Sequence, residues 1–106
     1  MKTGWTVTAA VTALLLAAAA HAQGQDALNV RSLAATCAAC HGTEGRVAVG
    51  DGSVSGLAGL PRDLLAAQLR AFKAGSRPST IMGQLSKGFS EAQIDQLAGY
   101  FSTLKP

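Results

Sequence analysis

Three stretches of the chain repeat apolar residues at helical spacing, and none alternates as a half-buried strand would. From Asp26 onward, Val30, Leu33, Ala34 and Cys37 fall at i, i+3, i+4 and i+7, one face of a helix. That helix is expected to run into residues 37–41 and to break at Gly42. A second helix opens at Pro61, where a missing N–H costs nothing in the first turn. Leu65, Leu69 and Phe72 line its inner side, and Gly75 supplies the stop. The third carries the most complete start signal. Ser90 and Gln93 form a capping box, Phe89 and Ile94 a hydrophobic staple, and Ile94, Leu97, Ala98 and Phe101 repeat on one face. The pattern predicts an all-α fold.

The segments between these helices are informative as well. Residues 42–60, "GTEGRVAVGDGSVSGLAGL", hold six glycines and little periodicity. The stretch is too apolar for a solvated linker and too rich in glycine for a helix. A loop of this length in a small domain is expected to wrap something. "SRPSTIMGQLSKG" reads as a second loop with one helical turn around Met82.

The N-terminus follows different rules. Lys2 precedes an uncharged stretch from Thr3 to Ala20 that includes "VTALLLAAAA", and small residues stand at Ala20 and Ala22. A basic start, an apolar middle and a small-residue site describe a secretory signal peptide cut after Ala22, so residues 1–22 are the leader and 23–106 the working domain. A transmembrane anchor is the competing reading, but the stretch is barely of spanning length. Export to the periplasm, with no stable membrane insertion after cleavage, is the expectation.

Cleavage simplifies the chemistry. Trp5, Met1 and His21 leave with the leader, so the mature domain keeps two cysteines, Cys37 and Cys40, one histidine, His41, and one methionine, Met82. The formal net charge of +3 falls by one with Lys2, too mild a balance to recruit nucleic acid. A domain this small often needs a disulfide, a metal or a cofactor.

"CAACH", residues 37–41, names the group. In an exported protein C-x-x-C-H reads as covalent attachment of a c-type haem. Thiols one helical turn apart can add to two vinyl groups along one porphyrin edge, and the adjacent imidazole comes under the iron. A structural zinc site would need a fourth ligand, which would have to be a carboxylate. A thioredoxin-like dithiol belongs beside a βαβ pattern, which is missing here. A plain disulfide would leave His41 without a purpose.

The order of parts resembles the monohaem class I cytochromes c over the mature length. A helix leads into "CAACH", a glycine-rich loop follows, a methionine lies far downstream, and an aromatic-bearing helix ends the chain. "LAGLPRDLLAAQLRAFKAGSRPSTIMGQLSKGFSEAQIDQLAGYF" is similar, more narrowly, to the cytochrome subunits of flavocytochrome c sulfide dehydrogenases. The resemblance implies one haem c wrapped by three main helices and glycine-rich loops. It also implies thioethers at Cys37 and Cys40, and iron held by His41 and by the Met82 sulfur. A lone methionine can equally be a pliable core filler. In similar cytochromes the far N–H of the histidine donates to a proline carbonyl, where this chain has Ser55. Arg77 stands where relatives carry a basic residue near the haem propionates, though a solvated arginine fits equally. Tyr100 and Phe101 read as core.

The implied function is one-electron transfer between Fe(II) and Fe(III), without a catalytic step of its own. The implied donor is a sulfide-oxidising flavoprotein. A free respiratory shuttle is the alternative, and a haem sensor or peroxidase-like protein would require Met82 to leave the iron free.

Overall fold

The residues from Val7 to Ala20 lack glycine and proline and are rich in alanine and leucine, the strongest helix formers. In the computed structural model, which describes residues 3–47 and 54–106, they form the first half of a long helix, α1, Thr3–Ala35. There follow α2 (Ala38–His41), a 3-10 turn (Thr43–Gly45), α3 (Arg62–Ala74), α4 (Met82–Lys87) and α5 (Glu91–Thr103). No strand occurs among the described residues, and the fold is all-α as expected. Residues 1–2 of the expected leader and 48–53 of the glycine-rich stretch lie outside the described residues.

The first helix differs from its sequence reading at both ends. It starts within the expected leader rather than at Asp26, and nothing interrupts it near Ala22. Gly24 costs about 1 kcal/mol in a helix interior, a penalty that propagation from a long helix on either side absorbs. The helix then stops at Ala35, the chain turns through Thr36 and Cys37, and α2 resumes for one turn before Gly42. Every side chain of α1 from Val7 to Asn29 is exposed. Val7–Ala35 is long and apolar enough to cross a membrane, and a signal sequence at an N-terminus meets the same test.

The core is built on α5. Ile94, Leu97, Ala98 and Phe101 are all buried there, the stripe anticipated from spacing. Leu65 and Ala66 of α3 and Ala34 of α1 close the cluster. Each large apolar side chain fully removed from water contributes about 1.5–3 kcal/mol. On α3, Leu69 and Phe72 are only half-buried. The Arg77 guanidinium covers the ring of Phe72 at 4.5 Å.

Local chemistry sets the ends. Ser90 Oγ accepts from the Gln93 N–H at 3.1 Å, and the Ser90 N–H donates to Gln93 Oε1 at 2.9 Å. Phe89 packs against the cluster that contains Ile94. Gly75 ends α3 at φ 76, ψ 8, a left-handed conformation that glycine adopts at little cost. Pro61 stands one residue before α3 rather than inside its first turn. The turn expected around Met82 is a full short helix, α4, which packs on α3. On the surface Arg70 of α3 donates to Glu91 and Asp95 of α5, each at 2.8 Å. Exposed pairs of this kind contribute about 0.2–1 kcal/mol each.

Candidate functional site

Residues 37–41 form one turn of backbone. The His41 N–H donates to the Cys37 carbonyl at 2.9 Å and the Gly42 N–H to the Ala38 carbonyl at 3.0 Å. Cys37 and Cys40 are therefore separated by one helical turn, and both are free thiols. Cys37 is half-buried against the core, whereas Cys40 is exposed. Burial pushes the Cys37 thiol above its ordinary pKa, and a hydrogen bond with the Thr36 side chain partly offsets this. Among the described residues no three His, Cys, Asp or Glu side chains gather as a metal cluster. Cys37, Cys40 and His41 thus do not converge as zinc ligands would.

His41 is oriented through its ring. Its Nδ1 lies 2.6 Å from the Ser55 carbonyl oxygen. A carbonyl only accepts, so the proton sits on Nδ1 and the Nε2 lone pair is left for a metal. Histidine ligands are commonly fixed by such a contact on the far nitrogen. Serine here supplies the carbonyl that proline supplies in similar cytochromes. The change of side chain leaves the contact in place because only the backbone takes part.

Two features that hold Ser55 in reach were not visible in the sequence pattern. The Gly45 carbonyl accepts from the N–H groups of Leu57 at 2.8 Å and Ala58 at 3.3 Å, closing the neck of the glycine-rich loop. Gly45 has φ +73, and a Cβ there would lie 2.9 Å from the Leu57 Cβ and 3.0 Å from the Phe101 ring. The position requires glycine on both counts. Arg46, next in the chain, donates from Nε to the Lys105 carbonyl at 2.7 Å.

Met82 stands apart from the cysteine turn, half-buried as the first residue of α4. Ser79 fixes that end of the helix, its Oγ accepting from the Gly83 N–H at 2.7 Å. Ile81 and Leu85 beside Met82 are 57% and 51% exposed, and Leu64 on α3 is 43% exposed. Apolar side chains this exposed fit a surface that an apolar group covers. Arg77 bonds Gln68 and lies over Phe72, so its guanidinium is held by α3 rather than free in solvent. A free thiol pair on one turn, an imidazole whose Nε2 is unengaged among the described residues, a thioether and exposed apolar side chains together fit a c-type haem.

No family model matches the chain. Curated relatives do. It is 47% identical over 73 residues to the thiosulfate dehydrogenase electron acceptor of Thiomonas intermedia, covering 69% of this chain and 33% of that protein. It is 36% identical over 72 residues to the cytochrome subunit of sulfide dehydrogenase of Chlorobaculum tepidum, covering 68% and 63%. Cytochrome c-553 of Helicobacter pylori is 33% identical over 96 residues, covering 87% of this chain and 95% of that one. The chain thus spans about a third of the first relative and under two thirds of the second. The match to cytochrome c-553, which runs nearly end to end, is of a different kind. The chain belongs to the monohaem c-type cytochromes, electron carriers whose haem c is covalently held.

Proposed function

We propose that Cys37 and Cys40 would hold the haem through thioethers and that His41 and Met82 would bind its iron. The domain, 23–106, would work in the periplasm after cleavage at Ala22, taking electrons from a sulfide-oxidising flavoprotein. The observation that carries the site reading is the His41 Nδ1 contact with the Ser55 carbonyl on the same turn as two free thiols. The haem supplies the Fe(II)/Fe(III) couple. His41, with its proton held on Nδ1, presents a basic Nε2. The Met82 thioether is a soft ligand that favours the ferrous state and raises the potential relative to a second imidazole. With His41 and Met82 both holding the iron, no open position would remain there for peroxide or oxygen. Ile81, Leu85 and Leu64 would exclude water from the site and keep reorganisation small.

The partner reading is supported by the similarity to the sulfide dehydrogenase cytochrome subunit. The relative named for thiosulfate dehydrogenase favours a second reading, in which the donor oxidises thiosulfate instead. Mixing the haem-loaded protein with each candidate dehydrogenase and its own substrate, then following haem reduction, separates them. Reduction that requires the flavoprotein and sulfide supports the first. Reduction only with the thiosulfate enzyme supports the second, and fast reduction by sulfide alone removes the need for either.

A further inference from the structure

We propose that residues Leu104–Pro106 latch the glycine-rich loop so that the Ser55 carbonyl stays on His41, with Arg46 as the positioning residue. The proposal rests on the reading of His41 as the proximal ligand. The His41–Ser55 bond depends on a loop whose neck is closed, among the described residues, by backbone bonds between Gly45 and residues 57–58. Two limbs enter that neck, residues 43–46 and residues 57–60, and the tail touches both. Arg46 Nε donates to the Lys105 carbonyl at 2.7 Å, while its guanidinium also pairs with Glu44. On the other limb Gly59 lies so close to Pro106 that a Cβ there would come within 2.6 Å of the proline Cγ.

The tail is itself anchored to the core. The Leu104 N–H donates to the Phe101 carbonyl at 3.3 Å, Leu104 packs against the core cluster, and the Gly59 N–H reaches the same Phe101 carbonyl at 2.9 Å. Phe101 is buried on α5. A chain of contacts therefore runs from the rigid helix α5 through the tail to both limbs and on to the carbonyl that orients the imidazole. Among the described residues the half-exposed Arg46 side chain has two partners, the Lys105 carbonyl at its Nε and the Glu44 carboxylate. Releasing one limb lets the loop open at its neck, and the imidazole N–H is then exposed intermittently to water.

The test uses the haem-loaded protein in its reduced, diamagnetic form, with proton exchange of the His41 ring N–H read by NMR. Arg46→Ala should accelerate that exchange by about tenfold, the factor that corresponds to about 1.4 kcal/mol of opening free energy. The midpoint potential should rise with it, because a weaker N–H···O bond makes the imidazole a poorer donor to ferric iron. Arg70→Ala, which removes the exposed links between α3 and α5, is the comparison and should change neither quantity. Unchanged exchange in Arg46→Ala, an unshifted potential, or equal acceleration in Arg70→Ala overturns the latch. A pyridine haemochrome spectrum of the unmutated protein keeps the two ideas apart. Absence of covalent haem there removes the ligand assignment, whereas unchanged exchange in a haem-bearing variant removes the latch alone.

Discussion

The His41 ring nitrogen Nδ1 lies 2.6 Å from the carbonyl oxygen of Ser55, fourteen residues away along the chain. That contact joins the two ends of a loop that the composition alone describes as structureless. It also decides the tautomer of His41, and so which nitrogen can bind iron. A hydroxyl in place of the carbonyl, able to donate as well as accept, would leave that choice open.

Met82→Ala should abolish the weak near-infrared charge-transfer band of the ferric protein, lower the midpoint potential and let cyanide bind. Loss of a soft thioether destabilises the ferrous state relative to the ferric. Absorption spectra and a redox titration of the variant check this. An unchanged spectrum would return Met82 to the role of a core filler.

Phe101→Ala should cost about 3–5 kcal/mol, the range for emptying a large aromatic site. The ring is 3% exposed, meets Tyr100 edge-on at 5.2 Å between centroids and abuts Gly45. In a domain with about 5–15 kcal/mol in total, that is a large share. Denaturant titration of the haem-loaded variant measures it, and a midpoint equal to wild type would contradict the packing described.

Ser86→Ala should stabilise the protein. The side chain is 0% exposed, and its Oγ has no hydrogen-bond partner among the described residues. An unpaired buried hydroxyl costs about 1–3 kcal/mol, which a methyl group avoids. Thermal melting should show a higher Tm in the variant. A lower Tm would mean that the hydroxyl has a partner in the haem-loaded protein.

The haem-free chain should treat its two thiols unequally. Cys37 is half-buried and its pKa is raised by burial, while Cys40 is exposed, so iodoacetamide should modify Cys40 first. The stability effect has a definite sign. A thiol with a folded pKa above its unfolded value contributes stability that is present below the unfolded pKa and fades as pH rises through the folded one. The haem-free protein should therefore weaken on the alkaline side, an effect absent once Cys37 is a thioether. Equal alkylation rates at the two cysteines would contradict the burial.

What the sequence made legible was local. The Ser90–Gln93 capping box, the Gly75 stop and the inner stripe from Ile94 to Phe101 all depend on neighbours within a turn or two, and the structure repeats them. The four residues proposed to hold the haem stand out in the sequence because Cys37, Cys40 and His41 form a short motif and Met82 is the one methionine beyond the expected leader. The contacts that support them were not. Gly45 with Leu57, Arg46 with Lys105 and Ser79 with Gly83 either span long separations or depend on a loop path that no periodicity encodes. The helix crossing Ala22 escaped notice for another reason. A processing site is read from small side chains, which are good helix formers and break nothing.

The central claim is that one haem is bound covalently to residues 37–41 of a chain that has lost its leader. The most direct measurement is mass spectrometry of the protein purified from a host able to mature c-type cytochromes, intact and after trypsin. The account predicts an intact chain beginning at Gln23 with the mass of one haem added, and the addition should reside on the tryptic peptide Ser32–Arg46. An unmodified peptide with two free thiols or a disulfide, or a haem that extracts into acidified acetone, would contradict it.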